Sequence, residues 1–151
     1  MKKLITLFLL LLFLYGCDYK PIYSNLNKTD FFIQDITFKG DKNLNDLINR
    51  KLKRYKKENL GKKINIEINS NYSKISVSKD PAGITTSNKL KATVNFYIET
   101  TSSTETLNIT KNFTMKNLDN KFDEKIYENE ITNNLTELIV NELIIYLTKI
   151  K

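Results

Sequence analysis

A chain of 151 residues holds one modest domain, and 40% hydrophobic with 27% charged residues places it among ordinary globular proteins rather than disordered ones. It contains no histidine and a single cysteine, so it lacks the commonest general base at neutral pH and the commonest zinc ligand, and it cannot close a disulfide within itself. Its formal net charge of +7 suits anionic partners.

Residues 1–16 read as a secretory signal peptide. Lys2 and Lys3 form a positive start, and Leu4 to Tyr15 form an uncharged apolar run. Twelve residues is well short of the roughly 20 that a spanning helix needs. The run ends at Leu14-Tyr15-Gly16-Cys17, which resembles the lipobox of bacterial lipoproteins, although Tyr15 is bulkier than the small residue usual there. In that chemistry the Cys17 thiol takes a diacylglyceryl group, the peptide is cut before it, and the freed amine is acylated. One acyl chain anchors weakly, whereas two or three hold a protein on a bilayer without any transmembrane helix. The bland alternative is an incidental thiol beside an ordinary cleavage site. Removing Lys2 and Lys3 leaves 22 basic against 17 acidic residues, a net +5. Export makes nucleic acid an unsuitable partner despite this charge, and triplets such as Asn108-Ile109-Thr110 read as chance.

Residues 17–28 are polar, contain Pro21 and lack sustained periodicity, as expected of a lipidated tether. The domain then occupies residues 29–151. Phe32, Ile36 and Phe38 at period two predict a first strand ending at Gly40. Leu44, Leu47, Ile48, Leu52 and Tyr55 form one helical stripe, with Asp41 or Asn43 as N-cap. Lys51 falls near the middle of that stripe and would have to snorkel.

Three strands are predicted next. Ile64, Ile66 and Ile68 alternate with polar residues, and Tyr72 to Ser78, carrying Ile75 and Val77, is read as continuing that strand past a bulge. Asp80-Pro81-Ala82-Gly83 is a turn. After a polar turn segment, Thr85 to Lys89, Leu90, Ala92, Val94, Phe96 and Ile98 alternate with Lys91, Thr93, Asn95, Tyr97 and Glu99. Leu107, Ile109, Phe113 and Met115 repeat the pattern, with Lys111 breaking the apolar row.

From about Asn120 the period becomes helical. Ile131, Leu135, Leu138, Ile139, Leu143 and Tyr146 make the inner stripe, and Val140, Ile144, Ile145 and Leu147 spread beyond it. Such a helix is buried on more than one side, or offers a second face to another protein. The sum is an α+β two-layer sandwich in the order β-α-β-β-β-α, a four-stranded, largely antiparallel sheet with both helices on one face. The uncovered face carries Lys91, Thr93, Asn95, Tyr97 and Glu99.

This layout resembles the LptE family of lipopolysaccharide-assembly lipoproteins, in the form found outside the enteric bacteria. The matching features are Cys17-Asp18-Tyr19-Lys20-Pro21-Ile22-Tyr23, the early helix with Leu44, Leu47, Ile48 and Leu52, the polar segment leading into Leu90 to Ile98, and the long last helix. The resemblance covers nearly all of the mature chain. It implies a binding and scaffolding protein, anchored through lipid on the periplasmic side of the outer membrane. It also implies that the chain plugs an LptD-like barrel and binds lipopolysaccharide, with no cofactor. Relatives often carry an arginine near the position of Asn88, for which Lys89 and Lys91 stand as substitutes and hence as candidate ligand contacts. Asp18 departs from the pattern by resembling the inner-membrane retention signal of enteric bacteria.

Two rival readings stand beside this one. Acidic pairs such as Asp123 with Glu124, or Glu128 with Glu130, could serve glycoside chemistry, but they lie on a predicted helix amid lysines, where a solvated face is expected. A pilotin-like lipoprotein, or an accessory subunit of another outer-membrane complex, would share the anchor, size and charge.

Overall fold

The computed structural model describes residues 30–57 and 60–150; the signal peptide, Cys17 and the tether lie outside them. The elements run β1 (Phe31–Gly40), α1 (Lys42–Leu52), a 3-10 turn (Lys53–Tyr55), β2 (Lys62–Lys79), β3 (Thr85–Glu99), β4 (Thr104–Lys116) and α2 (Lys121–Leu147). The sheet order is β1-β2-β3-β4. β1 and β2 pair in parallel, which requires a crossover, and α1 is that crossover; the other pairs are antiparallel hairpins. The α+β sandwich therefore has the expected element order.

The β1 register shifts between Ile33 and Asp35, so one extra residue enters the strand. As a result Phe31, Ile33 and Ile36 are all buried under the helices, while Phe32 leaves the row that simple alternation assigns to it. The strand ends where Gly40 takes φ +90°, and a Cβ there would sit 1.9 Å from the Ser70 carbonyl oxygen. Only glycine fits so close to a neighbouring backbone. Asp41 then caps α1, its Oδ1 accepting from the Leu44 N–H at 2.8 Å. The Ser70 hydroxyl donates to Asn45 Oδ1 (2.7 Å), and the Asn45 amide donates to the Lys39 carbonyl (3.1 Å). These bonds tie β1, α1 and β2 together at a point where all the buried polar groups need partners.

β2 is one strand of 18 residues. Its pairing with β3 is regular from Asn65↔Glu99 to Ser76↔Asn88, and shifts only near Ser78. No bulge intervenes before Ile75, so parity puts Ile75 beside Lys89 on the uncovered face, opposite to Ile64, Ile66 and Ile68. The turn at its end is closed by Gly83, at φ +82°, whose N–H donates to the Asp80 carbonyl at 2.9 Å. The segment Thr85 to Lys89, expected as a turn, is strand: Ser76 and Ser78 meet Thr85, Thr86 and Ser87 through hydroxyl hydrogen bonds, which lets a Ser/Thr-rich stretch hold a ladder.

Asn120 caps α2 by accepting from the Phe122 N–H at 2.9 Å. Ile131, Leu135, Ile139 and Leu143 face the sheet, and Val140, Ile144 and Leu147 are buried as well, so the extra apolar residues are mostly taken up within the domain. Leu138 corrects the expected stripe: it is 54% exposed, as is Ile145 at 55%. The buried side of α2 turns along its length, from Ile131 and Leu135 to Ile144 and Leu147, and residues of both its halves lie beside α1. The two lysines that interrupt apolar rows are both paired across layers, Lys51 with Glu137 (3.4 Å) and Lys111 with Glu142.

Candidate functional site

The two helices cover one face of the sheet, and alternation hands the other face to polar side chains. It presents Asp35, Thr37 and Lys39 from β1, and Asn65, Glu67, Asn69, Asn71, Ser73 and Ile75 from β2. β3 adds Lys89, Lys91, Thr93, Asn95, Tyr97 and Glu99, and β4 adds Thr106, Asn108, Thr110, Asn112, Thr114 and Lys116. Neutral contacts cross the middle: Thr93 meets Thr110 hydroxyl to hydroxyl at 3.0 Å, and the Asn108 amide donates to Asn95.

Charge is sorted along this face. Asp35, Glu67 and Glu99 gather at one end, around a shallow hollow of about 400 Å³ that Tyr97 also lines. Lys89 and Lys91 stand at the other end, two residues apart on one strand and hence about 7 Å from each other. Neither forms an ion pair with another described residue. Lys116, opposite Ser87, brings a third cation to the same end. Sequence reading missed Lys116, although counting in twos from Thr114 would have placed it.

Beside these cations the β2–β3 hairpin carries Ile75, Val77 and Ile84, all of them exposed. They too were missed as surface residues, because Ile75 and Val77 look like a continuation of the buried row. Cations next to exposed aliphatic groups suit an amphiphile with an anionic head.

The root of that hairpin is pinned to α2. Lys74 Nζ donates to Glu124 Oε1 (3.1 Å) and Glu128 Oε2 (3.0 Å). The Tyr72 hydroxyl donates to Glu128 at 3.1 Å, and Lys121 reaches Glu124 at 2.8 Å. The hydrogen bonds from Lys121 and then Lys74 pull the Glu124 carboxyl down to about 2. Burial pushes Glu128 up, but the Lys74 hydrogen bond and charge outweigh it, with help from Lys125 and Tyr72, and the net shift is downward. Burial, foremost, raises the Tyr72 phenol. These contacts join the root of the hairpin to α2, so Glu124 and Glu128 serve as a latch. Asp123 and Glu130, the other members of the acidic pairs, are exposed.

Among the described residues no group of three or more His, Cys, Asp or Glu is placed to hold a metal ion. No described helix is long and apolar enough to cross a membrane. Cys17 lies outside the described residues, as does the Tyr19 to Tyr23 segment.

No protein-family model and no curated protein matches the chain. Solved structures do. Rare lipoprotein B from Shewanella oneidensis superposes with a TM-score of 0.53 at 11% identity, over 74% of this chain and 91% of its own. A lipoprotein from Caulobacter crescentus gives 0.51 at 7% identity, over 75% and 87%. Lipoprotein B from Nitrosomonas europaea gives 0.50 at 12% identity, over 78% and 84%. At such identities these likenesses show the fold.

Proposed function

We propose that this chain is a lipoprotein acylated at Cys17, held on the periplasmic side of the outer membrane, where it partners an LptD-like barrel in assembling lipopolysaccharide. It works by binding and plugging, without catalysis. The observation that carries the reading is the conjunction of a lipobox-like Leu14–Cys17 with a fold shared by bacterial lipoproteins, rare lipoprotein B among them.

The open face supports the ligand. Lipopolysaccharide joins phosphates to acyl chains, and Lys89, Lys91 and Lys116 stand beside Ile75 and the half-exposed hairpin. Ammonium groups meet phosphate oxygens through charge-assisted hydrogen bonds, each worth about 1.5–3 kcal/mol net. A compact domain with a polar, closely hydrogen-bonded face also suits the lumen of a barrel.

The test is a lipopolysaccharide titration of the full mature protein against Lys89→Glu/Lys91→Glu. The account expects binding weakened about 100-fold or more, with unchanged circular dichroism. Unaltered affinity in the folded variant would remove these lysines from the site.

A further inference from the structure

The positive charge of this molecule is concentrated in one place. Residues 50–63, RKLKRYKKENLGKK, hold eight Lys and Arg against one acid, a surplus of seven equal to the net charge of the whole chain. Basic and acidic residues balance everywhere else. Arg50 and Lys51 end α1, where the helix dipole favours cations, and that accounts for them locally. Lys53, Arg54, Lys56, Lys57, Lys62 and Lys63 continue past the helix and are all exposed.

Partners are scarce here. Several lysines elsewhere are met by acids, as Lys39 is by Glu67, Lys74 by Glu124 and Glu128, and Lys111 by Glu142, while Lys89 and Lys91 pair with no acid among the described residues. Among the described residues of this segment only Lys51 has an ion pair, and the Lys62 ammonium donates to the Ile150 carbonyl. Fixed like charges held together without counter-charges cost free energy unless an external anion meets them.

The segment also sits where the chain leaves its N-terminal part. The Lys62 N–H donates to the Asp30 carbonyl at 2.7 Å, and a Cβ on Gly61 would stand 2.3 Å from the Asp30 carbonyl carbon. Tyr55 stacks on Phe31 at 5.9 Å, with the Arg54 guanidinium over its ring. Twelve residues lie between Cys17 and Asp30, thirteen steps of chain with a reach of at most about 45 Å.

We infer that the cations of residues 50–57 and 60–63 form a docking surface for an anionic phospholipid bilayer, the leaflet that holds the acylated Cys17. Anchor and basic end cooperate: the lipid keeps the segment near the headgroups, and the cations turn the domain so that its α1–β2 corner faces them. β2 starts at this corner and spans about 60 Å. The β2–β3 hairpin, with Lys89, Lys91 and Ile84, is thereby directed away from the leaflet.

The inference rests on lipidation at Cys17, which the mass of the purified protein's N-terminal peptide reports independently. Amide hydrogen exchange of the full lipidated protein is compared in vesicles of phosphatidylcholine alone and with phosphatidylglycerol added. Slower exchange over residues 50–57 and 60–63 with phosphatidylglycerol is expected. It should vanish in 0.5 M salt and in Lys53→Gln/Lys56→Gln/Lys57→Gln, and persist in Lys89→Glu/Lys91→Glu. Equal exchange in both vesicles overturns the proposal, and so does protection that needs lipopolysaccharide in the bilayer. If the N-terminal peptide carries no lipid, the anchor reading fails, and sedimentation of the same protein with phosphatidylglycerol vesicles decides the surface. A loss on the order of a hundredfold in the triple variant supports it, since each lysine at a membrane contributes about fivefold; absence of binding overturns it.

Discussion

Glu124 is a buried carboxylate held by two ammonium groups, and this makes its contribution depend on pH in a definite direction. Its folded value of about 2 lies below its ordinary 4.5, so between those values the unfolded chain binds more protons. The stabilisation is complete above about pH 4.5 and is lost as pH falls towards 2. Urea midpoints measured from pH 5 to 2.5 should fall steadily in the natural protein, and Glu124→Gln should flatten that slope while lowering the midpoint at pH 5. An unchanged slope in the variant would mean the latch is not ionic. Gly40 gives a second prediction. With φ at +90° and the Ser70 carbonyl 1.9 Å from any Cβ, Gly40→Ala should cost about 2 kcal/mol or more in urea unfolding. Among such details the α1 cap was narrowed to Asp41 or Asn43, because both precede an apolar stripe, whereas Asn120 marked only where the helical period begins and its capping bond required the structure. The partners of Lys51 and Lys111 were not legible, since Glu137 and Glu142 lie far away in sequence.

The elements differ in how plainly they announce themselves. Strand β3 was readable across Leu90–Ile98 because it is central, free of bulges over that stretch and covered on one face only, so its alternation there is complete. β1 misled because one bulge changes its parity, and β2 misled because the expected bulge is absent; period two cannot report an irregularity that pairing alone creates. α2 misled at Leu138 because its buried side turns along its length. That geometry is testable by contrast. Ile139→Ala should cost about 2–5 kcal/mol, whereas Leu138→Ser/Ile145→Ser should stay within about 0.5 kcal/mol per site. A large loss on changing the two exposed positions would contradict the packing of α2.

On the scale of the whole molecule, one sheet face is spent on the core and the other is left polar, with acids at one end and lysines at the other. The clustered charge at the α1–β2 corner adds a second direction, so hairpin and basic corner lie at opposite ends of β2. Fold class and the uncovered face were legible from alternation alone. The proposed lysine site was legible only in part: Lys89 and Lys91 fall on that face, but the placement of Lys116 and the exposure of Ile75 required the register. The proposed barrel partner is written in no single side chain, because recognition by a plug would be spread over a surface. The measurement that bears most directly on the account is affinity purification of the tagged, lipidated protein from cell envelopes, with mass spectrometry of the proteins recovered. The account predicts a stoichiometric LptD-like barrel with lipopolysaccharide attached; a secretin, a different barrel or none at all would contradict it.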